Sequence, residues 1–184
     1  VATGRFPVLF APTVAGGLIG SLLGALYGGA QYRKASFLLD SLGRTVTHPQ
    51  LTLREVPHLP CRMGSAAFDG DGVATRAKAF IARGVVESYV LSAYSARRLG
   101  LAPTGNAGGV FNLLVEGDVR PVPELLRAMG RGLVVTELMG QGVNGVTGDY
   151  SRGATGFWVE DGAIVYPVDG ITIAGNLKDM FREL

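Results

Sequence analysis

The stretch FAPTVAGGLIGSLLGALYGGAQYR, residues 10–33, decides how this chain is read. Between Arg5 and Arg33 there is no charged residue and no histidine. Inside the run, Gly16, Gly20, Gly24 and Gly28 recur at every fourth position, which places them on one face of a helix. Glycine in a helix interior costs roughly 1 kcal/mol relative to alanine. The stripe therefore needs an offset of about 4 kcal/mol, and close backbone packing along the glycine face is the expected source. Pro7 and Pro12 separate the start of the run, so the helix is expected from Thr13, as N-cap, to Ala30. That helix is barely long enough to cross a bilayer, and no second apolar run of its length follows. The expectation is a buried helix of a soluble domain, in which Gly24→Leu would overpack by about 1–3 kcal/mol.

Working outward, Val8–Phe10 reads as a short strand and residues 31–42 as a loop. Leu51 to Glu55 alternates apolar and polar, as a half-buried strand does. The runs 73–82 and 85–91 flank Arg83-Gly84 and form a hairpin candidate. Ser92 to Leu99 predicts a short helix stopped by Gly100, and Pro121 to Met129 another, stopped by Gly130. Between them, PTGNAGG (103–109) reads as a flexible loop, followed by strands 110–115 and 133–138. Near the end, FWVEDGAIVYPV (157–168) centres on Asp161-Gly162, the signature of a two-residue turn. Both faces of that hairpin carry large apolar groups, which predicts a place inside a two-sided core. A short strand at 171–173 and a closing helix at 176–184 complete an α+β chain, with a curved antiparallel sheet or open barrel-like β domain and several helices.

The chain of 184 residues carries 28 glycines, 47% hydrophobic residues and 17% charged residues. Its net charge of +2 gives no electrostatic case for nucleic acid. The single cysteine, Cys61, excludes an internal disulfide and fits a reducing compartment; it reads as a small buried or half-buried residue. His48 and His58 stand ten positions apart, outside any metal-ligand pairing. FDGDG (68–72) reads as a tight turn, because a calcium loop needs more oxygen ligands and a closing glutamate. Asp149, Tyr150 and Ser151 begin a strand after a glycine-rich loop, and no histidine is close in sequence to serve Ser151 as a base. These residues describe a mixed domain with no self-contained catalytic machinery.

Several motifs resemble a known family. GLVVTELMGQGVNGVTGDYSRGATGFWVEDGAIVYPVDGITIAGNLKDM (132–180) resembles the C-terminal domain of the PmbA/TldD family, once named modulators of DNA gyrase. YRKASFLLDSLG (32–43), FDGDGVATRA (68–77), SAYSARRLGL (92–101) and TGNAGG (104–109) are similar to its PmbA, or TldE, branch. The resemblance implies that residues 1–184 form a single C-terminal domain from which an N-terminal α/β domain is missing. It also implies a cytoplasmic zinc peptidase complex that cuts unfolded peptides, matures peptide antibiotics and turns over antitoxins. In that complex a TldD-type subunit carries a zinc-binding His-Glu-x-x-x-His helix. Placed on this chain, that motif falls on GSLLGA (20–25): Gly20 and Ala25 stand for the ligand histidines and Ser21 for the general base. Neither side chain at 20 or 25 has a lone pair to donate. The expectation is a chain with no catalytic or metal residue and no cofactor, zinc being held by the partner. It would complete a dimer, with a TldD-type subunit or a second copy, and the wall of a peptide chamber, with no nucleic acid or membrane partner. The alternative is a non-enzymatic regulatory module of the gyrase-modulator type.

Overall fold

The computed structural model describes residues 2–184. In chain order the elements are β1 (Val8–Phe10), α1 (Pro12–Ala25), α2 (Gly28–Tyr32), β2 (Thr52–Glu55), β3 (Lys78–Ala82), β4 (Val85–Val86), α3 (Ala93–Leu99), β5 (Leu113–Glu116), α4 (Val122–Met129), β6 (Gly132–Met139), β7 (Asp149–Glu160), β8 (Ala163–Asn176) and α5 (Leu177–Arg182). The chain is α+β, with two four-stranded sheets, β1-β6-β7-β8 and β4-β3-β2-β5, neither closed into a barrel. It divides into two compact units. The first comprises residues 1–21, 119–144 and 149–175; the second comprises 22–118, 145–148 and 176–184.

In the first unit, β1 pairs parallel with β6, and β6 antiparallel with β7. The register places Val8 beside Leu133, Phe10 beside Val135, and Leu133 beside Trp158, so these alternating positions share one face. Leu133, Val135, Ala154, Trp158 and Val168 form the core there, joined by Phe6 and Val14. The Phe6 ring meets the indole of Trp158 edge to face at 5.0 Å, a preferred aromatic geometry. Asp161 and Gly162 have φ of +49° and +73°, as the Asp-Gly turn requires. The two-sided core expected for this hairpin is not found. Trp158 and Val159 are buried, but Ile164, Val165 and Tyr166 are 52%, 53% and 41% exposed. The reason is position: β8 is the last strand of its sheet, and the separate strand expected at 171–173 is its continuation.

The second unit is built on β2, which pairs antiparallel with both β3 and β5. β3 and β4 form the expected hairpin in a shorter form, turning on Arg83 and Gly84 with φ of +46° and +82°. Ser92 caps α3, with Ser95 completing a reciprocal capping box, and Gly100 ends the helix in the left-handed conformation.

The glycine helix departs most from expectation. It ends at Ala25, because Tyr27 is extended and the Gly28 and Val90 amides exchange hydrogen bonds with Val90 and Leu26 carbonyls. Gly28 thus leaves the stripe. The remaining face is open: a Cβ built on Gly16, Gly17, Gly20 or Gly24 would meet nothing within 4 Å. Only Leu22, Leu23 and Ala25 of α1 are buried. The close approach expected along the whole stripe exists at one position, where a Cβ on Gly28 would lie 2.5 Å from Ser95 Oγ. No helix of the described residues is long and apolar enough to cross a membrane.

Candidate functional site

Two places bear on chemistry. The first is the segment 20–25 of α1, where the zinc motif of the resembling family would fall. Gly20 and Gly24 face open space, and Ala25 is buried with a methyl group as its whole side chain. The Ser21 hydroxyl donates to the Gly17 carbonyl at 3.0 Å, one helical turn back. A zinc ion needs three protein donors and an open position for water. These residues supply a single hydroxyl, so they do not fit the metal. Among the described residues no group of three or more His, Cys, Asp and Glu side chains could hold a metal ion.

The other sequence candidates are placed as follows. His48 accepts at Nδ1 from the Gln50 amide, 3.3 Å away. His58 Nε2 lies 2.9 Å from Thr75 Oγ1, whose hydroxyl donates to the Ala66 carbonyl, so the imidazole is the donor of that pair. Neither histidine hydrogen-bonds Ser151. Cys61 is exposed rather than half-buried, because it sits at φ +56° in the turn-rich segment that follows β2. Asp149, Tyr150 and Ser151 open β7. The Tyr150 hydroxyl is buried without a partner, and burial pushes its pKa up against the pull of the Arg152 charge. It is a neutral phenol at physiological pH.

The second place is a buried polar network in the second unit, which joins motifs far apart in sequence. Glu55 is fully buried on β2. Its Oε1 accepts from Asn106 Nδ2 and from the Phe111 amide, each at 2.7 Å. Its Oε2 is paired with Lys78, the residue opposite it on β3. The Asn106 amide also donates to the Gly109 carbonyl at 3.0 Å, and its Oδ1 accepts from Thr104 at 2.9 Å. The loop 103–109, expected to be flexible, is thereby braced internally and tied to β2 through Glu55. Asp69, in FDGDG, is buried beside it. Its Oδ1 accepts from the Asp71 and Val73 amides, its Oδ2 from the Ala107 amide, all within 2.9 Å. Burial raises the Asp69 pKa, but these three amides and the Lys78 charge outweigh it, and the net shift is downward. The motif is a turn, as expected: every Asp69 acceptor is spent on backbone. Asp71 then reaches Ala93 N at the start of α3, at 2.8 Å.

Glu55, Lys78 and Asn106 were not singled out in the sequence, yet one signal was present. In LTLRE, Leu51 and Leu53 point inward, and strand parity puts Glu55 on the same side. A carboxylate at an inward position demands partners. Which partners it takes is not written locally, since Asn106 and Phe111 lie more than fifty residues away.

With this geometry in hand, the chain can be placed. It belongs to the family described as the PmbA/TldA metallopeptidase C-terminal domain, which it matches over residues 3–184. It is 53% identical over 184 residues to the metalloprotease PmbA of Escherichia coli O157:H7, covering all of this chain and 41% of that protein. Its fold matches a crystal structure from Bacteroides thetaiotaomicron described as a modulator of DNA gyrase, with a TM-score of 0.93 and 31% identity, over 99% of this chain and 41% of the other. It also matches TldE from Thermococcus kodakarensis, with a TM-score of 0.82 and 26% identity, over 96% of this chain and 43% of that one. The chain thus spans about two fifths of the length of the relatives it matches.

Proposed function

We propose that this chain is the C-terminal domain of a PmbA-type subunit that holds no zinc of its own and completes a zinc peptidase assembly with a TldD-type partner. The observation that carries this reading is segment 20–25: Gly20 and Ala25 have no donor atoms, and Ser21 offers a hydroxyl already given to its own helix. A peptidase of this class needs a polarised water and a base, and both must come from the other subunit. The chain's role is then to complete the dimer and the wall of a chamber in which unfolded peptides, including precursors of peptide antibiotics, are cut. Such an assembly would work in the cytoplasm.

The test is reconstitution. The purified protein, a TldD-type subunit, and their mixture are each assayed on an unfolded peptide, with metal content measured in parallel. The expected outcome is chelator-sensitive cleavage by the mixture and near-stoichiometric zinc on the partner alone. Cleavage by this protein alone, or zinc bound to it and lost with His48→Ala or His58→Ala, would overturn the reading.

A further inference from the structure

The motifs YRK (32–34) and SAYSARR (92–98) are left unused by the reading above, and the fold brings them together where α2 packs on α3. The Tyr32 ring meets Tyr94 edge to face at 5.8 Å. The same Tyr32 ring carries two guanidiniums, Arg33 at 5.3 Å and Arg98 at 5.6 Å from its centroid. The two charges are therefore at most about 11 Å apart, the sum of those distances. Arg33, Lys34, Arg97 and Arg98 are all exposed, and Tyr94 is 59% exposed. Among the described residues none of these four cations is ion-paired with a carboxylate. Asp71, the acidic group tied to this helix, spends one oxygen on the Ala93 amide.

Part of this arrangement has an internal use, since Arg97 and Arg98 lie in the last turn of α3, where cations are favoured. That does not account for Arg33 and Lys34, which stand on another element. Nor does it account for an exposed tyrosine fixed in place by a capping box and by the Asp71 bond to its neighbour. Tyrosine and arginine held in set geometry are what interface anchors are made of.

We propose that the Tyr32–Tyr94 platform, with Arg33 and Arg98 laid on it, is a docking surface for an acidic, carboxylate-rich polypeptide segment. Arginine forks match carboxylates bidentately, and stacking on a ring pre-orders them at low entropic cost. Nucleic acid fits less well. Both guanidiniums occupy the Tyr32 ring where a base would stack, and the patch is too short for the six to ten phosphate contacts that give strong binding.

The test is fluorescence anisotropy with labelled decaglutamate, using an uncharged peptide of equal length and an oligothymidylate of equal length as comparisons. The expected result is that decaglutamate binds best, weakens as salt rises from about 50 mM to about 200 mM, and loses about tenfold in affinity with Arg33→Gln/Arg98→Gln. An unchanged melting temperature shows that the double variant is folded, and Tyr94→Ala, which leaves every charge in place, should also weaken binding. Arg127→Gln, on exposed α4, should leave binding unchanged. Three results would each overturn the proposal: equal binding by wild type and double variant, equal loss with Arg127→Gln, or tighter binding of oligothymidylate.

Discussion

The open face of α1 and the closed network around Glu55 sit at opposite extremes of one physical variable, the number of neighbours a side chain has. On α1, positions 16, 17, 20 and 24 have no neighbour within 4 Å of where a side chain would start. Around Glu55 every oxygen is claimed, and the carboxylate is fully buried. On the reading proposed above, the first region is where a zinc motif would be sought, and the second would pass for loops. The chemistry is distributed the other way. Segment 20–25 of the helix offers a single hydroxyl, already given to its own backbone, while the glycine-rich loops converge on a charged centre in the second unit.

The sharpest way to break the comparison is Glu55→Ala. It leaves Lys78 without its carboxylate partner, removes one of the two acceptors of Asn106 Nδ2 and orphans the Phe111 amide. The expected cost is about 3–5 kcal/mol in urea unfolding of the purified protein. A loss below about 1 kcal/mol would mean that the network is dispensable.

Asp69→Asn should cost less, about 1–3 kcal/mol, because one of its two acceptor oxygens survives as a carbonyl. It also carries a pH signature. The Asp69 pKa is lowered in the folded state, so its contribution is complete above the unfolded value of about 3.9 and is lost as pH falls through the folded value. Wild-type stability should therefore drop more steeply below about pH 4 than that of the variant, as read from urea midpoints at descending pH. Parallel profiles would remove Asp69 from the account.

Two glycines of the run give effects of opposite sign, the second of them the smallest. Gly28→Ala places a methyl against Ser95 and Leu91 and should cost about 1–3 kcal/mol. Gly24→Ala enters open space in the last turn of α1 and should add up to about 1 kcal/mol. Thermal melts of the two variants, run side by side, read the difference. Destabilisation by both would restore the buried stripe that the spacing predicts and the structure does not show.

That stripe marks how far the sequence could be read. The turns at Asp161-Gly162 and Arg83-Gly84, the helix beginning near Ser92 and the stops at Gly100 and Gly130 were legible because backbone conformation there depends on a few adjacent residues. That Gly20 and Ala25 carry no donor atom was legible for the same reason: side-chain identity is a local fact. The fate of a face was not. Four glycines in helical register look like a packing seam whether or not anything packs on them, and only tertiary structure shows the helix breaking before Gly28. The exposure of Ile164, Val165 and Tyr166 likewise follows from the edge position of β8, not from its apolar pattern.

The sequence by itself determined the local geometry, the family and the lack of donor atoms at positions 20 and 25, each a matter of side-chain identity or short-range backbone preference. The tertiary structure alone decided which groups meet. It brought Glu55 to Lys78, Asn106 and Phe111, Asp69 to Ala107, and Tyr32 to Tyr94 and Arg98, because burial and hydrogen-bond satisfaction are settled by neighbours distant along the chain.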